Sequence, residues 1–232
     1  MHYLARSLSR PVADVRQTHS APRLEASANA NIARLLTLSA TALKRPDDRP
    51  RENALAYVVI ETQNSWANFV RAYYLSCAVG MKLASGRLAV ATPRFTSATD
   101  ALGYAVNHFR PPAKQKRPDS NGVWDRRDEP NWVDPNTLLT LSRDLKCSNE
   151  SAISVALSTG TTTFSDLPTF RNFFAHRNQD TAEKVAVKAA ALLIPPSLRP
   201  VEALLFRPPS RSMPLISVWL AEIRLTITAL CA

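Results

Sequence analysis

The sequence predicts an all-α protein, a single helical-bundle domain interrupted by long irregular insertion loops. Three observations lead there. Only 5 glycines occur in 232 residues, and none sits in a G-x-x-x-x-G-K-[ST] loop or a G-x-G-x-x-G turn, so nucleotide-binding α/β folds have no support. Apolar residues return every three or four positions over long stretches, which is the helical period. The 17 prolines gather mainly between those stretches, where they mark helix ends and loops.

Residues 1–24 read as a flexible basic arm. Arg6, Arg10, Arg16 and Arg23 stand among few acids, and the segment lacks the apolar centre of a secretion signal, although its composition is faintly like an organellar transit peptide. A first helix is predicted over residues 26–43, with Ile32, Leu35, Leu36 and Leu38 on its apolar side, ending in a charged, proline-containing linker at 44–50. The strongest periodic segment follows: Leu55, Val59, Thr62, Trp66, Phe69, Tyr73, Cys77 and Met81 form the stripe of a long helix that stops near Gly80 to Gly86. Residues 88–91 suggest a short extended piece. Another helix fits 97–109, ahead of Pro111-Pro112.

Residues 110–135 are too rich in proline and charge for one regular element, and they read as an insertion loop. Arg110, Lys114, Lys116, Arg117, Arg126 and Arg127 outnumber Asp119 and Asp125 in its basic stretch. Trp124 and Trp132 either pin the loop to the helical body, the preferred reading, or offer a ring for base stacking. Short helices are expected at 136–146 and 149–158, the second capped by Ser148. Next comes a helix capped by Ser165 or Asp166 with Pro168 in its first turn and Phe170, Phe173 and Phe174 as a buried stripe. Asp180 to Glu183 looks like a capping box opening a helix that Pro195-Pro196 ends, and a final helix spans 215–230.

The chain is long enough for one large core and nothing demands a second domain, so residues 25–232 are read as a single unit. Its formal charge is +10 and its pI about 10.0. Most of the excess is arginine, the side chain best shaped for bidentate phosphate contact, so nucleic acid is the natural partner; a generally arginine-rich composition is the other source of such a charge. Cys77, Cys147 and Cys231 are odd in number and form no C-x-x-C pair. That argues against a disulfide scaffold or structural zinc and for a reducing, cytoplasmic setting. The apolar segment at 214–232 is broken by Glu222 and Arg224, and no membrane partner is expected.

The run Phe170-Arg171-Asn172-Phe173-Phe174-Ala175-His176 carries the chemistry. A guanidinium that stays charged can hold a phosphate and its developing negative charge, while an imidazole titrating near neutrality can take a proton from a 2′-hydroxyl. The pattern Arg-polar-x-x-x-His resembles the signature of HEPN domains, all-helical modules that often act as ribonucleases in toxin, phage-defence and RNA-processing systems. The resemblance implies a HEPN-like core over about residues 51–194 and metal-independent RNA cleavage by 2′-hydroxyl transesterification, with no cofactor. His176 would be base or acid, Arg171 would stabilise the transition state, and Asn172 would orient the site. It also implies a homodimer in which two motifs meet in one cleft, RNA as substrate, and an antitoxin or inhibitor protein as a further partner if the chain is a toxin.

Five residues of ideal helix place Arg171 and His176 roughly 140° apart and about 7.5 Å along the axis, so one straight helix does not aim both at one phosphate. Arg177 and Asn178 beside the motif are candidate substrate contacts. Long helices of HEPN domains commonly bring a polar residue beside the motif, which makes Glu61, Asn64, Asn68 and Arg71 further candidates. His108, in the helix before the insertion loop, is read as a helix-end histidine, with a place in the same cleft as the alternative. Two other readings fit these residues: a catalytically inactive HEPN-like module that binds RNA or a protein, and a structural helical bundle whose arginines are background.

Overall fold

A computed structural model describes residues 20–46, 49–158, 160–207 and 212–232. The protein is 67% helical with nine helices and one two-stranded sheet among the described residues. The basic arm predicted at 1–24 lies outside the described residues up to 19, and beyond that it is corrected. Helix α1 (Ala21–Leu43) begins five residues earlier than its apolar stripe suggested, with Ser20 at its N-cap and Pro22 in its first turn, where a missing N–H costs nothing. Ala21 is fully buried and Leu24 nearly so.

Helix α2 (Arg49–Val79) runs 31 residues and is the spine of the bundle. It ends where Gly80 takes a φ of 106°, a left-handed conformation that side chains disfavour. Strands β1 (Met81–Lys82) and β2 (Leu88–Ala89) pair antiparallel, with Met81 opposite Ala89 and Lys82 opposite Leu88. Ser148 does not cap a helix as expected. Its hydroxyl instead accepts from Val90 N at 3.1 Å and donates to Leu88 O at 3.2 Å, tying the chain to this hairpin.

Helix α3 (Ala98–His108) is capped by Ser97, whose Oγ accepts from Asp100 N. The insertion loop that follows is irregular apart from two 3-10 turns, and its tryptophans do pin it down. Trp124 donates to Thr99 O at 3.2 Å and lies over Gly103, where an added Cβ would stand 2.6 Å from its ring. Trp132 packs on Tyr74 with ring centroids 5.4 Å apart and donates to Glu129 at 2.7 Å. Helices α4 (Pro135–Asp144) and α5 (Glu150–Leu157) lead to α6 (Thr163–His176), which carries the motif.

Helix α6 starts before the predicted cap, so Pro168 sits inside it and removes one intrahelical hydrogen bond. The earlier start has a tertiary cause: Thr161 and Thr163 both donate their hydroxyls to Glu222 of the C-terminal helix, and Thr163 N donates to Thr161 Oγ1 at 3.0 Å. Asp166 is no cap. It is buried, with Lys188 at 3.0 Å. Helix α7 (Gln179–Ala191) is opened by Asn178, whose Oδ1 accepts from Thr181 N at 2.9 Å, two residues before the predicted box. The short α8 (Pro200–Leu205) and then α9 (Leu215–Cys231) complete the described chain.

One hydrophobic cluster draws on residues from Ala21 to Cys231. Helix α1 packs along α2 and α9, while α6 lies against α2, α7 and α9. Residues 51–194 alone therefore do not enclose the core: Ile32 and Leu35 of α1 and Trp219, Ile223 and Ile227 of α9 are all fully buried or nearly so in it. No helix of the described residues is long and apolar enough to cross a membrane.

Candidate active site

Two aromatic contacts and one polar contact fix the motif helix. Phe164 of α6 packs on Trp66 of α2, ring centroids 4.4 Å apart, and Phe170 meets Trp219 of α9 edge-on at 5.0 Å. At the other end of α6, the Arg177 guanidinium donates to Asn53 Oδ1 at 3.1 Å. The head of α6 thus lies beside the middle of α2 and its tail beside the N-terminus of α2, which makes the two helices antiparallel. Burial of Phe170 and Phe174 leaves Asn172 and His176 exposed and Arg171 half-buried.

Arg171 is the motif residue with unused capacity. Its Nε is buried and donates to no acceptor in the structure, and Nη1 reaches only the neighbouring Asn172 Oδ1 at 3.4 Å. A buried donor without an acceptor costs on the order of 1–3 kcal/mol, and more when it is charged.

His176 closes α6, and Arg177 then takes φ 47° and ψ 45°, a left-handed turn made without glycine. The helix keeps its form through His176, so in one chain Arg171 and His176 point well apart, as the ideal spacing of about 140° requires. Asn178 is exposed and caps α7, its Oδ1 accepting from both Thr181 N and Thr181 Oγ1.

The four candidates on α2 separate along the helix. Counted from Asn53 at about 1.5 Å per residue, Glu61 lies about 12 Å and Asn64 about 16 Å along the axis, while Arg71 is about 27 Å away. Arg171 is about 9 Å from Arg177 along the antiparallel α6, so Glu61 is the candidate nearest its level. Glu61 accepts from Asn64 Nδ2 at 3.1 Å. Asn68 accepts from Arg126 of the insertion loop at 2.8 Å. Arg71 is out of the site: it is 8% exposed and grips Glu129 through Nε at 2.6 Å and Nη2 at 3.0 Å.

His108 is likewise a helix-end residue, 2.9 Å from Asp144 and packed on Tyr104 at 5.3 Å. His2 and His19 lie outside the described residues. An open groove of about 630 Å³ between α6 and α7 is lined by Thr169, Asp180, Glu183, Lys184, Val187 and Lys188. It includes neither Arg171 nor His176, and its two carboxylates are balanced by two lysines. Among the described residues, no group of three or more His, Cys, Asp or Glu could hold a metal ion.

Sequence reasoning missed Asn53 and Tyr57. The signal was present, because Asn53, Tyr57, Glu61, Asn64 and Asn68 follow one another at intervals of four, four, three and four residues and so lie on one face of α2. Among family models, curated proteins and solved structures, none matches this chain.

Proposed function

We propose that this protein is a metal-independent endoribonuclease of the HEPN type. The single observation that carries the reading is the pairing, on one packed helix, of an exposed His176 with an Arg171 whose buried Nε lacks an acceptor. His176 removes the proton of a 2′-hydroxyl, the oxygen attacks the adjacent phosphorus, and the 5′-oxygen leaves with a proton. The products are a 2′,3′-cyclic phosphate and a 5′-hydroxyl. Arg171 binds the non-bridging oxygens and stabilises the charge that develops on them. Asn172 lies exposed beside Arg171 and orients the phosphate.

Since α6 splays Arg171 and His176 apart, the working site is completed by a second copy of the chain, whose His176 donates the leaving-group proton. The resemblance of the motif to HEPN toxins and phage-defence effectors also supports an inhibitor protein as a partner. The three cysteines are free and buried, which suits a reducing cytoplasm.

The test is incubation of the protein and its His176→Ala variant with mixed cellular RNA in EDTA, with fragment ends mapped and the dimer verified by sedimentation. Cyclic-phosphate ends from the parent and their absence with the variant are expected. Intact RNA in both samples from a verified folded dimer overturns the nuclease assignment; if that RNA is bound, the chain is an inactive binding module.

A further inference from the structure

The exposed face of α2 ends beside the motif, and its cations are matched to neutral partners. Asn53, Tyr57, Glu61, Asn64 and Asn68 fall within about 80° of one another on a helical wheel and extend for about 22 Å. Tyr57 is 38% exposed although it is a large aromatic. Three guanidiniums from three different parts of the fold reach this stripe: Arg34 of α1 donates to the Tyr57 hydroxyl at 3.2 Å, Arg177 to Asn53 at 3.1 Å, and Arg126 of the insertion loop to Asn68 at 2.8 Å. None of the three forms an ion pair within the described chain, so each holds a full positive charge against an amide or phenol oxygen. Glu61 is the single acid of the stripe. Beyond Asn68 the insertion loop takes over, with Glu129 on Arg71 and Trp132 on Tyr74.

From this we infer that the stripe is a binding floor for a single-stranded RNA segment that runs from the insertion loop to His176. The inference rests on the nuclease reading for its direction, but not for the binding itself. The three guanidiniums supply phosphate contacts at intervals along the floor, and the Tyr57 ring supplies a stacking platform, the combination by which unpaired strands are held without sequence readout. Glu61, with Asn64 beside it, accepts hydrogen bonds from base amino groups, the edge a carboxylate recognises in cytosine. In duplex RNA that edge lies in a deep, narrow major groove that side chains do not read, and a base can reach Tyr57 only when unstacked from its neighbours. Duplex RNA offers neither.

The probe is a fluorescein-labelled single-stranded RNA of about 12 nucleotides, a length within the usual range of such sites, compared with a duplex of the same sequence. Binding is read by anisotropy in the His176→Ala background, so a failure of cleavage leaves this test intact and a failure of binding is seen separately. Tyr57→Ala should weaken single-strand binding about tenfold, while Tyr57→Phe, which keeps the ring and loses the Arg34 bond, should bind as the parent does. Arg34→Ala and Arg126→Ala should each make the slope of log affinity against log salt shallower by about 0.7. Circular dichroism confirms that each variant is folded. Unchanged affinity in Tyr57→Ala, or a duplex bound more tightly than the single strand, would overturn the inference.

Discussion

Glu129 holds the insertion loop on α2, and removing its carboxylate is the most informative perturbation of the fold. Three bonds end on it: Arg71 Nε at 2.6 Å, Arg71 Nη2 at 3.0 Å and Trp132 Nε1 at 2.7 Å. The paired side chains are 8% and 3% exposed, so water does not replace what is lost. In Glu129→Ala, a guanidinium is left buried without its counter-charge, at a cost of about 3–5 kcal/mol. At about 2–4 °C per kcal/mol for a domain of this size, the melting temperature should fall by about 6 to 20 °C. Urea unfolding followed by circular dichroism measures the loss directly. The double variant Arg71→Met with Glu129→Leu removes both charges together and should recover all but about 1 kcal/mol, the residue reflecting the unpaired Trp132 N–H. If Glu129→Ala costs less than about 1 kcal/mol, or if the double variant is less stable than the single one, the pair is not the clamp described here.

Two further outcomes follow from local geometry. Arg177 holds its left-handed turn at φ 47° without glycine, so Arg177→Gly should raise stability by up to about 1 kcal/mol while weakening RNA binding; a lower melting temperature would show that the bond to Asn53 outweighs the strain. Burial pushes the Cys147 thiol up to about 11 and Cys231 up to about 12, and raises Cys77 further. Thiols of the unfolded chain ionise near pH 8.5. The unfolded state therefore loses protons first, and stability that is whole below that pH should drain as the pH rises toward 11–12. A melting temperature that stays level from pH 8 to 11, measured by differential scanning fluorimetry, would contradict that burial.

Helices with a sustained apolar stripe were legible in the sequence, and contacts between distant segments were not. The body of α2 was marked by Leu55 to Cys77 and its end by Gly80. The end of α6 was marked by Asn178 just beyond His176. What misled was local chemistry overruled at long range. Ser165 and Asp166 are good caps in isolation, yet the hydroxyls of Thr161 and Thr163 find Glu222, more than fifty residues on, and start the helix sooner. Arg71 reads as an exposed cation on a polar face until Glu129, 58 residues away, is placed over it. Helix α8 is six residues long and carries too little pattern to declare itself. The motif was visible as spacing, whereas the unfilled Nε of Arg171 depends on packing that no local window contains.

The dependence of α6 on α9 has a consequence for the order of events during synthesis. Chains emerge from the ribosome N-terminal end first, and domains settle as their parts become available. When α6 emerges, α2 is already present, but Glu222 and Trp219 are not. The head of α6 then has no carboxylate for Thr161 and Thr163, and Phe170 has no indole to pack against. A nascent chain therefore cannot complete the packing of α6 until α9 has been made.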